Sequence, residues 1–194
     1  MTAFTHETVG RTGRYDGPIF QVYTDEVTMA DGHTVKRDVV ENLGAVGVVA
    51  LDEVGRVVLI RQYRHAVGER LWELPAGLRD VDGEALVRGA ARELCEEADL
   101  IADRWDLLID LHTSPGFSNE VIRLFLARTL SPVPSEDRFQ RTDEEAELEV
   151  AWFDLDEAVA MVFRGEITNA AAVGGLLAAA RARDEGWATL RPVD

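Results

Sequence analysis

Glu93, Glu96 and Glu97 crowd onto one short stretch whose apolar residues recur with the period of an α-helix. Leu86, Ala90 and Leu94, joined by Val87 and Ala91, make the apolar face of a helix expected from about Glu84 to Ala98. On a helix, residues three and four apart are neighbours, so Glu93 lies one turn before both Glu96 and Glu97. Like charges at that spacing repel and weaken an isolated helix. The bland reading is a solvated acidic face. Against it, the glutamates sit at the edge of the apolar face, and Arg92 neutralises only part of their charge. A hard divalent cation, which takes carboxylate oxygens and keeps several waters, is the natural complement. A glycine-bearing loop, Ala76-Gly77, leads into this stretch, with Asp80 or Asp82 as the expected helix cap.

The rest of the chain must supply a core for that helix. Its 194 residues suit one domain, or one domain with a small appendage. Hydrophobic residues make up 46% and charged residues 29%, the balance of a globular protein rather than a disordered one. The single cysteine, Cys95, excludes an internal disulfide and a cysteine-rich zinc site. It reads as an inert thiol. The start lacks the apolar core of a signal peptide. The low-charge run from Ala170 to Ala180 is shorter than the roughly 20 residues a membrane span needs. A cytoplasmic location without membrane contact is the expectation. The formal net charge of −16 disfavours nucleic-acid binding, which rests on Lys and Arg meeting phosphates. It also means that an anionic substrate would be repelled at long range, so local arginines and cations must reverse the field at a site.

Residues 1–16 read as a loose polar lead-in. Strands follow at 18–29 and 34–41, joined by the turn dipeptide Asp31-Gly32. An isolated hairpin is marginal, so this one is expected to lean on the rest of the chain or on a second subunit. Ala45–Leu51 is a buried strand and Arg56–Arg64 its partner. Arg61, Tyr63 and Arg64 are either ordinary strand-end polar residues or contacts to an anionic or aromatic ligand group. Further strands are expected at 71–74, 105–111, 121–127 and 148–153, and helices from about 154 to 163 and from 168 to 183. The polar, proline-bearing stretch 131–143 reads as a mobile loop ending in Asp143, Glu144 and Glu145. Strands interleaved with helices and hairpin-like pairs argue α/β or α+β layers around a mixed sheet.

Gly77, Glu84, Arg92, Glu93, Leu94, Glu96, Glu97 and Leu100 match the signature G-x5-E-x7-R-E-U-x-E-E-x-G-U, where U is bulky and aliphatic. On these residues the chain resembles the Nudix hydrolases. It departs twice: six residues rather than five separate Gly77 from Glu84, and Asp99 stands where the signature has glycine. The first lengthens a loop; the second is expected to cost some stability but not chemistry, since Asp tolerates the left-handed conformation better than most residues. Gln62-Tyr63-Arg64-His65, Trp72 to Gly77, Ser114 to Ser118 and Glu144 to Glu147 extend the likeness to the ADP-ribose pyrophosphatase branch. The resemblance implies an α-β-α sandwich with a mixed sheet over residues 43–194. It also implies an N-terminal antiparallel hairpin, residues 1–42, that dimerises the protein. The implied reaction is metal-dependent hydrolysis of the pyrophosphate of ADP-ribose to AMP and ribose 5-phosphate. Another nucleoside diphosphate sugar or a dinucleotide is the alternative substrate, and a nucleotide-sensing domain without catalysis the alternative function.

Carried over position by position, the resemblance makes Glu93, Glu97 and the Ala76 carbonyl direct ligands of Mg²⁺, with Mn²⁺ as the alternative ion. Glu96 would be a ligand, directly or through water. Arg92 would hold the carboxylates, Glu84 would anchor loop to helix, and Gly77 would form the loop. Glu145 is the candidate base or metal-associated carboxylate, and Glu144 its competitor. Arg61, Arg64, Glu73, Phe117 and Ser118 are the candidate substrate contacts. Trp72 and Phe117 have core packing as the alternative to stacking on a base.

Overall fold

The computed structural model describes residues 6–140 and 147–193. They divide into two compact units, one of residues 1–44 with 112–121, the other of residues 45–111 with 122–194. The expected boundary after residue 42 therefore misses the 112–121 segment, which is far away in sequence.

The first unit is a three-stranded antiparallel sheet in the order β1-β2-β3, made of β1 (Glu7–Asp16), β2 (Phe20–Thr28) and β3 (Thr34–Asn42). The hairpin expected from Asp31-Gly32 is β2–β3, with Gly32 at φ 85°. The lead-in expected at residues 1–16 is corrected: its described part is β1, paired with β2 from Glu7–Thr28 to Asp16–Gln21. Nearly every β1 side chain is exposed. A period-2 apolar pattern reports burial of one face, not backbone pairing, so a strand exposed on both faces carries no such signal. Within the same unit, the Val40 N–H donates to the Phe117 carbonyl (2.7 Å) and the Asn119 N–H to the Val40 carbonyl (3.2 Å).

The second unit holds the core. Its five-stranded sheet runs β11-β8-β9-β4-β7, from β4 (Ala45–Ala50), β7 (Ala76–Leu78), β8 (Leu100–His112), β9 (Val121–Pro132) and β11 (Arg191–Pro192). β4 pairs parallel with β9 and antiparallel with β7, so the sheet is mixed. A three-stranded antiparallel sheet runs β10-β5-β6, from β5 (Arg56–Arg64), β6 (Glu69–Glu73) and β10 (Glu149–Asp154).

Strand alternation sorts the core into two clusters. Val46, Val48, Ala50, Val58, Phe125 and Ala127 pack with Ala90, Leu94 and Ala98 of helix α1 (Leu86–Ala98). Val49, Leu51, Val57, Leu59, Leu124 and Leu126 pack with α2 (Leu155–Phe163) and α3 (Ala170–Asp184). Because successive residues of a strand point to opposite faces, helices cover both faces, which is the expected α-β-α sandwich. The alanine-rich α3 lies close to its face: a Cβ on Gly175 would stand 2.7 Å from Leu74 and 3.0 Å from Val49.

Helix α1 begins at Leu86, two residues later than the expected Glu84. Ala85 precedes it, without a side-chain cap, so neither Asp80 nor Asp82 has the expected capping role. It ends where expected: Asp99 is left-handed, φ 55° and ψ 37°, and its N–H donates back to the Cys95 carbonyl. Of the stretch 131–143, β9 takes in residues to Pro132, and Ser135–Asp137 form a single 3₁₀ turn. Asp143, Glu144 and Glu145 lie outside the described residues.

Candidate active site

Strand β7, formed where the sequence suggested a loop at Ala76-Gly77 because both residues pair with β4, is clasped to helix α1 through carboxylates. The Ala76 N–H donates to Glu97 Oε2 at 2.8 Å. The Glu93 carboxyl stands against Gly77, where a Cβ would lie 2.2 Å from its carboxyl carbon. Any side chain at position 77 would thus displace Glu93. Glu93 and Glu97 are both buried, at 8% and 5% exposure. Uncompensated burial of two carboxylates is costly, and the compensation is visible. Arg92 Nη1 donates to Glu93 Oε1 at 2.6 Å and to Glu96 Oε2 at 3.5 Å, while its Nη2 donates to Glu84 Oε2 at 3.4 Å. Asp80 lies 3.9 Å from the same guanidinium.

These contacts set the charge states. Burial pushes the Glu93 carboxyl above its ordinary range; Arg92 pulls it back, and Glu96 and Asp80 push it up again. Burial works against the charge of Arg92, but the hydrogen bond to Glu84 and the fields of Glu93, Glu84 and Glu96 outweigh it. Arg92 stays cationic, and burial disfavours the charged form of Glu93. Among the described residues, no three Asp, Glu, His or Cys side chains are arranged to hold a metal ion by themselves. The oxygens of Glu93, Glu96 and Glu97 and the Ala76 carbonyl are nevertheless hard donors of the type that Mg²⁺ accepts, with water and phosphate oxygens completing its shell.

The motif residues Ala76, Gly77, Glu84, Arg92, Glu93, Glu96 and Glu97 therefore meet in one place. Asp80, expected only as a cap, joins them; the folded loop rather than sequence spacing brings it to Arg92. Among the candidate substrate contacts, Glu73 is buried at 3% exposure, with Arg64 Nε and Nη2 donating to its two oxygens at 3.0 and 2.6 Å. Gln62 donates to Glu73 Oε2 at 3.4 Å. Arg61 lies over the Trp72 ring at 5.5 Å and 3.9 Å from Glu149. Trp72 packs edge-on against Phe153 at 5.1 Å, against the core as its bland reading has it. Phe117 and Ser118 belong to the first unit, where Phe117 is exposed and the Ser118 hydroxyl accepts from the Glu120 N–H. Cys95 is half-buried, and burial together with Glu96, Asp99 and Asp137 pushes its thiol up, which keeps it protonated and unreactive.

The chain is 45% identical over 194 residues to the ADP-ribose pyrophosphatase of Mycobacterium tuberculosis, covering all of this chain and 92% of the relative. It is 29% identical over 170 residues to the ADP-ribose pyrophosphatase of Bacillus subtilis, covering 88% of this chain and 90% of that one. A crystal structure described as an ADP compounds hydrolase superposes with a TM-score of 0.81 at 19% identity, covering 96% of this chain and 98% of its own, and shows the same fold. The model of the NUDIX domain matches residues 41–172, which span β4 through the start of α3 and contain the whole carboxylate clasp, so the chain belongs to the Nudix family.

Proposed function

We propose that this protein hydrolyses the pyrophosphate of ADP-ribose, using a divalent cation, to yield AMP and ribose 5-phosphate. The observation that carries this reading is end-to-end similarity, at 45% identity, to a protein named ADP-ribose pyrophosphatase, in a chain whose carboxylate clasp is intact. Glu93, Glu97 and the Ala76 carbonyl would hold the cation, with Glu96 completing the set directly or through water. Mg²⁺ is the proposed ion and Mn²⁺ its alternative. When bound, the cation supplies polarisation of the phosphate oxygens and a bound water of lowered pKa.

The chain's own residues do the rest. Gly77 leaves space for the Glu93 carboxyl, and the Ala76 amide orients Glu97, so the carboxylates are fixed before substrate arrives. Arg92 keeps Glu93, Glu96 and Glu84 from repelling one another. Glu145 is proposed to take the proton from the attacking water, with Glu144 as its competitor. The water oxygen becomes part of one product phosphate, and the bridging oxygen leaves with the other. The first unit is proposed to join two copies into a homodimer. The exposed Val9, Tyr15, Ile19 and Phe20 of its sheet and turn support that assignment. No helix of the described residues is long and apolar enough to cross a membrane, and a cytoplasmic enzyme is proposed.

Incubation with Mg²⁺ and a panel of ADP-ribose, other ADP-sugars, GDP-mannose and dinucleotides, with the products separated, tests the substrate. ADP-ribose is expected to turn over fastest; a faster alternative would replace it. Glu97→Gln is expected to lower kcat by at least about a hundredfold with the fold intact. Near-normal activity would remove the metal assignment.

A further inference from the structure

We infer that Glu73 is a positioning residue that holds the Arg64 guanidinium for the pyrophosphate, rather than a group that touches substrate. The inference rests on the reading of this chain as a nucleoside diphosphate sugar pyrophosphatase.

The register of β5 and β6 carries the argument. Directly opposite Arg64 stands Glu69, and Glu73 stands opposite Ile60, four residues back along β5. The near partner for Arg64 is therefore Glu69, which is exposed. Arg64 instead runs back along the strand, past Gln62, and closes a two-pronged contact on Glu73, at 3.0 Å from Nε and 2.6 Å from Nη2. A buried carboxylate exerts a less screened field than an exposed one, and two parallel N–H donors fit it in one orientation only. The pair is asymmetric. The Glu73 side chain is 3% exposed and the Arg64 side chain 44%. Substrate cannot reach the carboxylate, yet it can reach the cation.

An ion pair with a half-exposed arginine is screened by solvent and contributes little to stability, so stability alone does not account for it. Placement of the cation does. Glu73 ends β6, and the chain runs from it through Leu74 and Pro75 to Ala76, whose amide binds Glu97. The carboxylate that aims Arg64 is thus built into the strand that leads to β7, which carries the Ala76 carbonyl proposed for the metal. In a chain of net charge −16, a cation fixed in this way meets the need for local positive charge near a pyrophosphate.

The test is a double-mutant cycle on the full chain with saturating Mg²⁺. It uses whichever nucleoside diphosphate sugar the panel shows to be turned over fastest, so an error in the ADP-ribose assignment leaves it intact. Glu73→Gln and Arg64→Gln are each expected to raise KM roughly tenfold or more, with kcat changed by less than about threefold. The double variant is expected to be no worse than Arg64→Gln alone, because Glu73 acts only through Arg64. Mn²⁺ affinity of the substrate-free protein, read by electron paramagnetic resonance, is expected to stay at the wild-type value. Multiplying KM effects, an unchanged KM in Glu73→Gln, or a loss of Mn²⁺ affinity would each overturn the inference. Glu73→Asp guards against a folding defect in Glu73→Gln: it keeps the charge and draws the fork back by one methylene. A raised KM at an unchanged Tm supports the inference, and a wild-type KM overturns it.

Discussion

At the scale of single residues, Gly77 and Glu93 act as one unit. Gly77→Ala would place a methyl group 2.2 Å from the Glu93 carboxyl carbon, so the carboxylate must move. Since a misplacement of about 1 Å can cost a hundredfold in rate, Gly77→Ala is expected to lose activity by about that factor. Its Mg²⁺ affinity by calorimetry should fall as well, with little change in the circular dichroism spectrum. Glu93 also predicts a pH dependence. Its folded pKa is raised, first by burial, above the ordinary carboxylate value of about 4.3. In the window between those two values the folded state binds more protons than the unfolded state, so stability falls as pH rises. Thermal melts of the metal-free protein are therefore expected to lose Tm as pH climbs through the folded pKa of Glu93. Glu93→Gln should flatten that slope, and so should excess Mg²⁺. A metal-free melt whose Tm rises across the window would contradict the burial argument. The signature residues were readable because each is recognised by type and spacing. Asp80 was not, because its approach to Arg92 depends on the path of a loop.

Among the elements, α1 and α3 show two opposite uses of glycine. Asp99 ends α1 in the left-handed region, where a Cβ carries a steric cost that glycine avoids. Asp99→Gly is expected to stabilise the protein by about 0.5–1 kcal/mol in urea unfolding without changing kcat. Gly175 is the reverse case, a glycine that packing requires. Its added Cβ would meet Leu74, Val49 and Leu124 at 2.7, 3.0 and 3.1 Å. Gly175→Ala is expected to destabilise by about 1–3 kcal/mol, in spite of the better helix propensity of alanine. Helix α1 was legible from its apolar period and α3 from its alanine run. The existence of β1 was not, because its ladder is made by backbone groups and its side chains face solvent.

For the whole molecule, charge is the main variable. A chain at −16 repels a dianionic substrate at long range, and salt screens exposed charges with a length of about 10 Å at 0.1 M. Raising ionic strength from about 0.01 M to about 0.15 M at fixed free Mg²⁺ is expected to lower the KM for ADP-ribose, or leave it level. A steep rise would mean that the field at the site is already strongly positive over long distances. Division into two units was half readable. The change near residue 42 shows in the sequence, but the segment 112–121 joins the N-terminal sheet through hydrogen bonds to Val40 and Asn42 that no sequence pattern announces.

The sequence by itself determined the helix with its three carboxylates, most of the longer strands along the chain and the family, because those depend on side-chain type, period and spacing along one chain. Tertiary structure alone decided what the carboxylates touch. It laid Glu93 on Gly77, set Glu97 on the Ala76 amide, brought Asp80 to Arg92 and buried Glu73 beneath Arg64. Each of those contacts joins residues that different elements carry, and its strength comes from burial and direction, which exist only once the elements have packed. The clasp at Gly77 is the plainest case: the signature requires a glycine there, and the fold supplies the reason, a carboxylate standing where its side chain would be.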